Sequence, residues 1–479
     1  MSFSYPELGH LIDGRWMPNG DRKGEPVFNP SSGEILATVP HVTDADLAAA
    51  LESAERGFAV WRDTSAMQRA NILRRASSLI RARTEEIAYV VASELGKPLA
   101  EARAEVDTAA GIFEWNADEG RRTYGRVIPS RAANVLQLVV KEPIGPVAAF
   151  APWNAPAITP SRKISSALAA GCSVIIKPSE ETPGTAVLIA RCLQEAGLPP
   201  GVLGLVFGDP HQISTALLSS PTIAGFTFTG STEVGRRLAA LGLTGMKRSI
   251  LELGGHAPVI VCDDVDPAKV ATAAVGAKYR NAGQICTSPT RFYVQESVYH
   301  RFVDAFSAGA GSVKVGRPLD SSTQMGPLAN SRRVKAMENF VEDALRRGIR
   351  ITSGGSRIIG GGNFFTPTVL ADATNECMAA NVEPFGPLAL IQPFTSLDEA
   401  IAAANRLPVG LAAYAATHDS TRANLLQRRI RSGTVAINHW QVSLPETPFG
   451  GWMDSGVGQE GGIEGLEPFQ RIKNVSQAA

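Results

Sequence analysis

The sequence predicts an α/β protein built around parallel sheets. From about residue 145, short apolar runs alternate with helical segments, and a second α/β block follows toward the C-terminus. Strands joined by crossover helices pair in parallel, which is typical of this fold class. The chain has 479 residues, too many for one ordinary core, so we expect two or three domains.

Two helices are predicted before the first sheet. The segment DADLAAALESAERGFAVW places apolar residues at helical spacing behind Thr43, a favourable N-cap residue. Residues 67–97 then predict one longer helix that ends near Gly96.

The first sheet is predicted from four short apolar runs, namely SVIIKPS, VLGLVFG, GFTFTGS and SILELGG. Between them lie the helical segments TAVLIARCLQEAG, HQISTALLSS and TEVGRRLAALG. Ligands of parallel sheets bind beyond the carboxyl ends of the strands. The loops KPSE, TGSTEVG and ELGG are therefore expected on one rim.

The second block contains three predicted helices, VYHRFVDAFSAG, SRRVKAMENFVEDALRRG and STRANLLQRRIRSG, and the strand GTVAIN. The tail, QRIKNVSQAA, is predicted to be a lone polar strand. A literal GxGxxG at 456–461 is rejected as a dinucleotide fingerprint. We expect no strand before it, and only 18 residues follow it, too few for a βαβ unit.

Composition argues against several classes of protein. Lys plus Arg and Asp plus Glu are both 46, so no charge excess predicts binding to nucleic acid or a membrane surface. We find no signal peptide and no run of about 18 apolar residues. The five cysteines show no CxxC pair and the seven histidines no HxxxH pair, so we expect no disulfide framework and no metal site. These features predict a cytoplasmic protein.

Polar residues follow two of the predicted strands. The TGSTEVG stretch opens a helix at Ser231, where free backbone N–H groups attract phosphate, although a simple helix cap explains it equally well. In KPSE, Lys177 and Glu180 could hydrogen-bond a ribose, but a solvated surface pair is the commoner origin of such a pattern.

Three further residues carry chemistry that acyl transfer needs. Glu252 lies between apolar stretches that would raise its pKa toward that of a general base. Asn154 in PWN could donate to an oxyanion, and Cys286 in NAGQICTSPTR could act as a nucleophile. Taken singly, these are a solvent-reaching Glu, a turn-forming Asn and a buried thiol. Their occurrence together favours a catalytic site.

Seven motifs occur along the chain in the same order as in the aldehyde dehydrogenase superfamily, and the chain resembles that superfamily over essentially its whole length. The resemblance is closest to the NAD-dependent succinate-semialdehyde dehydrogenases. Glu252 and Cys286 are separated by 34 residues, as in that family. The motifs are PWN, KPSE, FTGSTEVG, ELGG, NAGQIC, EPFGP and PFGG.

The resemblance implies a Rossmann-like cofactor domain, an α/β catalytic domain and a small β arm that builds homodimers or homotetramers. The cofactor domain would comprise 1–121 and 143–253, and the catalytic domain 254–443. The arm would comprise 122–142 and 444–479, with the tail strand paired to a neighbouring subunit.

The resemblance also implies the reaction. Cys286 would attack the aldehyde carbon, and the Asn154 amide with the Cys286 backbone N–H would hold the oxyanion. Hydride transfer to NAD would leave a thioester, and Glu252 would activate the water that hydrolyses it. NAD is expected over NADP, because the Glu180 carboxylate would repel a 2′-phosphate.

The implied cofactor contacts come from five of the motifs. Lys177 and Glu180 would hold the adenosine ribose, Ser231 the pyrophosphate and Glu383 the nicotinamide ribose, with Phe385 beside the nicotinamide. The full set is Trp153, Lys177, Ser179, Glu180, Gly230, Ser231, Gly235, Leu253, Glu383 and Phe385.

Substrate choice is predicted from Arg162, Arg280 and Ser443, which lie where succinate-semialdehyde dehydrogenases bind the substrate carboxylate. Either arginine alone is better explained as a surface residue. Ala155 replaces the common Phe after PWN, which favours a wider pocket. We therefore expect an ω-carboxylate semialdehyde, succinate semialdehyde first, with an aromatic aldehyde of the benzaldehyde or vanillin type as the alternative.

Two other classes stay open. A catalytically silent structural member is disfavoured by the intact Cys286, Glu252 and Asn154, and a CoA-acylating enzyme by the retained Glu252. Product formation without CoA separates hydrolysis from acylation. Met453 and His256 depart from the residues common in the family, at positions that do not carry the chemistry.

Overall fold

Two large mixed sheets organise the chain in a computed structural model that describes residues 3–478. The strands are β1 Gly9–Ile12, β2 Arg15–Pro18, β3 Gly24–Phe28, β4 Ile35–Pro40, β5 Arg126–Ile128, β6 Val135–Pro143, β7 Val147–Phe150, β8 Val174–Lys177, β9 Leu203–Leu205, β10 Gly225–Thr229, β11 Arg248–Glu252, β12 Ala257–Val261, β13 Pro289–Gln295, β14 Arg350–Ser353, β15 Thr368–Ala371, β16 Leu388–Phe394, β17 Val409–Gly410, β18 Ala412–Ala416, β19 Thr434–Ile437, β20 Trp452–Met453, β21 Gly456–Val457 and β22 Gln470–Ala478.

Helices cover the faces of these sheets. They are α1 Asp44–Asp63, α2 Ala66–Ala82, α3 Thr84–Leu95, α4 Leu99–Glu119, α5 Ile158–Ala170, α6 Pro183–Glu195, α7 Pro210–Ser219, α8 Thr232–Leu243, α9 Pro267–Tyr279, α10 Glu296–Ser312, α11 Ser331–Arg346, α12 Met378–Asn381, α13 Leu397–Ala404 and α14 Ser420–Arg429.

The first sheet is Rossmann-like and has the order β2-β1-β9-β8-β7-β10-β11-β21, with parallel pairing from β9 to β11. Alternate strand residues enter two cores, since Val174 and Ile176 pack with α2 to α6 while Ile175 packs with α1, α7 and α8. Burial on both faces explains why these strands are short uninterrupted apolar runs.

The register of this sheet confirms the predicted common rim. Phe150 of β7 pairs with Lys177 of β8, and Thr229 of β10 pairs with Glu252 of β11. The loops that follow these residues therefore start at the same edge. Strand β7 ends at Phe150, directly before the PWN loop, although the sequence analysis had assigned no strand there.

The second sheet has the order β14-β15-β16-β13-β12-β18-β19, with parallel pairing from β15 to β19. Helices α9 to α11 pack on one face, and α13 and α14 pack on the other. Strand β13 begins at Pro289, so the loop that carries Cys286 enters this sheet immediately after the thiol.

The helix predicted over 67–97 is wrong as one element. Helix α2 ends at Ala82 and α3 begins at Thr84, because Arg83 leaves helical geometry with φ −104° and ψ 20°. Apolar spacing alone could not reveal this break, since both helices bury an apolar face. The start of α1 is confirmed, with Thr43 and Asp46 forming a reciprocal capping box.

The tail strand is also different from its prediction. Strand β22 is not alone, because it pairs antiparallel with β6 of the same chain from Gln470↔Pro143 to Ala478↔Val135. The resulting sheet has the order β22-β6-β5 and leaves β22 at an edge. The domain boundaries stay a prediction.

The glycine motif at 456–461 does follow a strand, the two-residue β20, and its first residues form β21 beside β11. The turn after it is the 3₁₀ segment Glu464–Phe469, so no phosphate-binding helix follows and its rejection as a fingerprint holds. Across residues 3–478, no helix combines the length and the apolar character needed to span a bilayer.

Candidate active site

A cavity of about 610 Å³ collects residues from both large sheets. One wall comes from the loops after β7, β10 and β11, which carry Asn154, Ser231 and Leu253. The opposite wall comes from the loop before β13, with Cys286, and from the segment before β16, with Glu383. Cavities at the carboxyl ends of parallel strands are the usual ligand sites of such sheets.

The loop before Cys286 has an unusual backbone. Asn281, Ala282 and Gly283 all adopt positive φ, at 49°, 53° and 72°. A Cβ at Gly283 would clash with the carbonyl oxygen of Gly386, so only glycine allows this close approach. Strained backbone held by its surroundings is common at functional sites, and here it fixes the entry to the cysteine.

Cys286 lies beside a carboxylate. Its Sγ donates to Glu252 Oε1 at 3.4 Å, and Thr229 Oγ1 donates to Glu252 Oε2 at 3.2 Å. Burial, with help from Glu460, raises the pKa of Glu252 to about 7. Burial and the nearby carboxylate raise the pKa of the Cys286 thiol as well. Near neutral pH the thiol therefore keeps its proton, and Glu252 is partly ionised and lies within hydrogen-bond reach to accept that proton when the sulfur attacks a substrate.

Asn154 is fixed so that one amide hydrogen is committed and the other is available. Its Nδ2 donates to the carbonyl of Gln284 at 3.0 Å, while Asn281 Nδ2 donates to the carbonyl of Asn154 at 3.0 Å. An amide has two donor hydrogens. The second hydrogen of Asn154 can serve an oxyanion formed on a substrate bound at Cys286.

A buried ion pair lies behind Glu252. Lys163 Nζ donates to Glu460 Oε1 at 2.7 Å and to Thr227 Oγ1 at 2.9 Å, and Lys163 is only 1% exposed. Burial alone would raise the pKa of Glu460, but Lys163 and Arg162 hold it below its usual value. The Glu460 charge thus disfavours ionisation of Glu252.

Arg162 and Ser443 meet in the cavity wall. Arg162 Nη2 donates to Ser443 Oγ at 2.9 Å, and its guanidinium lies 5.5 Å from the centre of the Phe449 ring. The side chain is 4% exposed, so the structure refutes the alternative that Arg162 is an ordinary surface arginine. A buried guanidinium is a strong recognition element for an anionic group.

Arg280 also lines the cavity but is largely exposed. Opposite it, Glu101 of α4 accepts from the Asn281 backbone N–H at 2.9 Å, and burial raises the pKa of Glu101 to about 7. The charges of Lys97 and Arg280 oppose that rise. Arg280 therefore lines the cavity, and its charge also acts on the Glu101 carboxyl group.

At the other end of the cavity, Trp153 and Phe385 meet edge to face with ring centroids 5.5 Å apart. Glu383 lies next to this pair. Burial raises the pKa of Glu383 to about 8, against the opposing charges of Arg333 and Lys278. This end offers aromatic surface and a carboxylate acceptor to a ligand with a flat ring and hydroxyl groups.

The model of the aldehyde dehydrogenase family matches residues 16–475. The chain belongs to the aldehyde dehydrogenase family. It is an enzyme of that family, an oxidoreductase acting on aldehydes, as its sequence motifs predicted.

Similar proteins agree with this assignment of the aldehyde dehydrogenase. This chain is 46% identical over 475 residues to the putative 4-(hydroxymethyl)benzenesulfonate dehydrogenase of Comamonas testosteroni, and the match covers 99% of this chain and 98% of that protein. A solved succinate-semialdehyde dehydrogenase from Burkholderia pseudomallei is 42% identical with a TM-score of 0.96, covering 98% of each chain. A betaine aldehyde dehydrogenase variant from Staphylococcus aureus, solved with NAD⁺, is 30% identical with a TM-score of 0.95, covering 98% and 96%.

The structure brings most of the predicted site residues of this aldehyde dehydrogenase into the one cavity. Those that line it are Trp153, Asn154, Arg162, Gly230, Ser231, Glu252, Leu253, Arg280, Cys286, Glu383, Phe385 and Ser443. Lys177, Ser179, Glu180 and Gly235 do not line it. Lys177 and Glu180 form an ion pair after β8, and Ser179 Oγ accepts from the Glu181 N–H at 3.2 Å. A Cβ at Gly235 would clash with the Leu253 side chain, so this glycine lets α8 pack closely on the loop that follows β11.

Other lining residues of the dehydrogenase were missed by sequence reasoning. Most of them belong to α4 or the turn before it, or to the first turn of α11 and its N-cap residue. They are Lys97, Glu101, Ala104, Glu105, Thr108, Asn330, Arg332, Arg333 and Phe449. Phe449 lies inside the recognised PFGG motif and could have been found, whereas no local signal marks α4 or α11 as site elements.

The two departures from common family residues lie away from the cavity lining. His256 is buried, with Nδ1 2.7 Å from Thr290 Oγ1 and Nε2 3.0 Å from the Ala379 carbonyl, and burial lowers its pKa. Met453 lies in β20 opposite Val409. His256 therefore acts on packing, Met453 is exposed, and neither lies among the reacting groups.

Proposed function

We propose that the enzyme oxidises its aldehyde through a covalent intermediate on Cys286. The observation that carries this proposal is the Cys286 Sγ to Glu252 Oε1 contact of 3.4 Å, with Asn154 in the same cavity. Glu252 takes the thiol proton as Sγ bonds to the aldehyde carbon. The Asn154 amide and the Cys286 N–H stabilise the oxyanion of the thiohemiacetal.

Release of the acid completes the cycle. Once the thiohemiacetal carbon has lost its hydride, Cys286 holds the acyl group as a thioester. Glu252 releases the thiol proton to solvent and then accepts a proton from water as the water oxygen attacks the acyl carbon. The tetrahedral intermediate expels the Cys286 thiolate and forms the carboxylic acid, and Glu252 returns its proton to the thiolate. A carboxylate whose pKa lies near 7 serves both proton transfers.

We propose that the cofactor is NAD, which supplies the hydride acceptor when bound. Glu383 and Phe385 would receive its nicotinamide riboside, and Ser231 at the start of α8 its pyrophosphate. Ser231 caps α8 by accepting from the Val234 N–H at 3.4 Å, and the first N–H groups of a helix lack intrahelical acceptors. This helix start lies on the cavity wall, which supports the fit.

Preference for NAD over NADP is part of the proposal and rests on Glu180. Its carboxylate is paired with Lys177 at the carboxyl end of β8, on the rim shared with Ser231. A 2′-phosphate placed there would meet like charge. We expect a higher kcat/KM with NAD, and an equal or better value with NADP would refute the role of Glu180.

We propose an acidic aldehyde as substrate, with succinate semialdehyde as the first candidate. Arg162, Ser443 and Arg280 line the same cavity as Cys286 and offer guanidinium and hydroxyl donors to an anionic end. The similarity to a solved succinate-semialdehyde dehydrogenase supports this choice. Binding the anion would direct the aldehyde end toward the thiol.

An aromatic acidic aldehyde is the second candidate. Small side chains at Ala104, Thr108 and Ala155 line the cavity and leave it wide. The relative from Comamonas testosteroni carries a name that specifies an aromatic sulfonate. The two candidates share an anion opposite the aldehyde and differ in the spacer between them.

Matched pairs of aldehydes test both candidates. NADH formation without CoA is measured for succinate semialdehyde against butanal, and for 4-carboxybenzaldehyde and 4-sulfobenzaldehyde against benzaldehyde. The proposal predicts a higher kcat/KM for the charged member of at least one pair, and the favoured pair identifies the spacer. Equal or better turnover of butanal and benzaldehyde would refute an acidic substrate.

We further propose that β22, β6 and β5 form the arm through which copies of the chain associate as dimers or tetramers. Ile472 in β22 and Val127 in β5 are 74% and 69% exposed, and β22 is an edge strand, so this sheet offers apolar side chains and strand backbone to a second copy. Light scattering of the purified protein gives the mass directly. A monomer at micromolar concentration would contradict the arm.

A further inference from the structure

The segment that carries Glu383 and Phe385 is held in an unusual conformation. Phe385 has φ 44°, in the left-handed region that residues other than glycine rarely adopt. This turn directs the Phe385 ring edge to face onto Trp153, in the loop that also carries Asn154. Without support from its surroundings, such a turn would relax toward an ordinary backbone conformation.

Arg333 supplies that support from α11. Its Nη2 donates to the carbonyl of Pro384 and, at 3.2 Å, to the carbonyl of Phe385. The guanidinium also lies 5.8 Å from the centre of the Phe385 ring. One side chain thus binds both carbonyls of the turn and packs over the ring that the turn presents.

Arg333 is itself well fixed. Its backbone N–H donates to the side chain of Asn330, the residue that caps α11, at 3.1 Å. Its Nε is buried and finds no hydrogen-bond acceptor in the described part of the chain, residues 3–478. The side chain is therefore held by the Pro384 and Phe385 carbonyls rather than by a network of its own.

Charge adds a second effect. Arg333 is the foremost of the cations that oppose the burial-induced rise in the pKa of Glu383, with Lys278 as the other. A carboxylate accepts hydrogen bonds from ribose hydroxyls more strongly than a neutral carboxyl group does. Arg333 thus favours the ionised form of Glu383 on the side that faces the cavity.

We propose that Arg333 is a positioning residue for the nicotinamide half of the cofactor, acting through the Phe385 turn and the charge of Glu383. The inference rests on the proposed NAD site. The adenosine half would be held elsewhere, by Lys177 and Ser231, so Arg333 should affect the two halves of NAD differently.

The test compares three substitutions with a matched control. Arg333→Lys keeps the charge but loses the two-carbonyl fork, Arg333→Gln keeps a donor but loses the charge, and Arg333→Met loses both. Lys335→Gln removes a cation from the same helix, where the side chain is exposed and pairs with Glu338. Binding of NAD and of ADP is measured by titration calorimetry, together with the rate of the first NADH turnover and the melting temperature.

We expect Arg333→Met to weaken NAD about tenfold, as loss of charge-assisted hydrogen bonds at the turn allows, and to slow the first hydride transfer. ADP, which lacks the nicotinamide riboside, should bind within about twofold of the parent value. Arg333→Lys and Arg333→Gln should fall between Met and the parent, and Lys335→Gln should match the parent.

Two results would overturn the inference. Unchanged NAD affinity and hydride-transfer rate in Arg333→Met would show that the turn needs no clamp. Equal weakening of NAD and ADP would show general damage to the cleft rather than positioning of one half. Failure of the proposed cofactor site itself is distinguishable, because the parent enzyme would then bind neither NAD nor ADP.

Discussion

The two ends of the substrate part of the cavity are built in different ways. At the reaction end, Cys286, Glu252 and Asn154 are held by one another and by backbone carbonyls; Cys286 and Asn154 lie in loops, and Glu252 is the last residue of β11. At the anion-binding end, a buried Arg162 bonded to Ser443 faces an exposed Arg280. The first end depends on backbone geometry, whereas the second depends on side chains of unequal burial.

The difference indicates how selectivity and chemistry are separated. The strained segment 281–283 and the Asn154–Gln284 contact keep Cys286 and Asn154 in place whatever the substrate carries. Ala104 and Thr108 of α4 line the cavity and could change without disturbing that geometry, whereas Glu101 accepts from the Asn281 N–H and could not. Substitutions at the two ends should therefore have separable effects.

The largest effect is expected for Cys286→Ala. Loss of the nucleophile should lower turnover of every aldehyde by at least about a thousandfold, because no neighbouring group can replace the thiol. NAD affinity, measured by calorimetry, should remain close to the parent value. Residual turnover within about tenfold of the parent would show that Cys286 is not the nucleophile.

The pH dependence of the reaction end should follow Glu252. Its pKa of about 7 makes the carboxylate the dominant form above pH 7, so kcat/KM should fall about tenfold per pH unit below that value. Glu252→Gln should slow steady-state turnover by roughly a hundredfold or more and remove this acid limb. An acid limb that persists in the variant would assign the titration to another group.

At the anion-binding end, Arg162→Leu should cost about 2–4 kcal/mol of transition-state binding for the preferred acidic aldehyde. The substitution removes the buried guanidinium that would bind the anion. For butanal or benzaldehyde, which carry no anion, kcat/KM should fall much less. The comparison of kcat/KM for charged and neutral members of a pair isolates the interaction. Equal losses for both members would mean that Arg162 supports the fold of the wall rather than the anion.

The smallest effect is expected for Arg280→Leu. Because Arg280 is exposed and faces Glu101, its contribution to an acidic substrate should be about 0.2–1 kcal/mol. Raising the ionic strength should reduce that contribution further, whereas the effect of Arg162 should persist. If the Arg280 substitution costs more than the Arg162 substitution, the assignment of the main anion contact is wrong.

The sequence predicted the reaction end well for physical reasons. Strand ends in a parallel sheet meet at one edge, so motifs that follow strands, such as those of Glu252 and Ser231, could be placed together without coordinates. The burial of Glu252 between apolar runs also pointed to its raised pKa, and the structure agrees. The pairing of the tail strand depends on a partner 327 residues or more away in the chain, which local pattern cannot show.

The anion-binding end was only partly predictable. Arg162 looks like a surface residue in an amphipathic segment, and its burial depends on Phe449 and Ser443, which are distant in sequence. The lining residues of α4 carry no local signal, because their side chains face the cavity only after α4 packs against α5. Long-range packing of this kind decides the shape of the substrate pocket.

The most direct test of the central claim is to trap the acyl group in Glu252→Gln. The variant is mixed with NAD and its preferred acidic aldehyde, quenched in acid, and analysed by intact mass and peptide mapping. The account predicts that NADH forms more slowly than in the parent and stops near one equivalent, because Gln cannot accept the proton of the attacking water, with the acyl mass on the peptide that contains Cys286. NADH formation without acyl modification, or an acyl group on another residue, would contradict it.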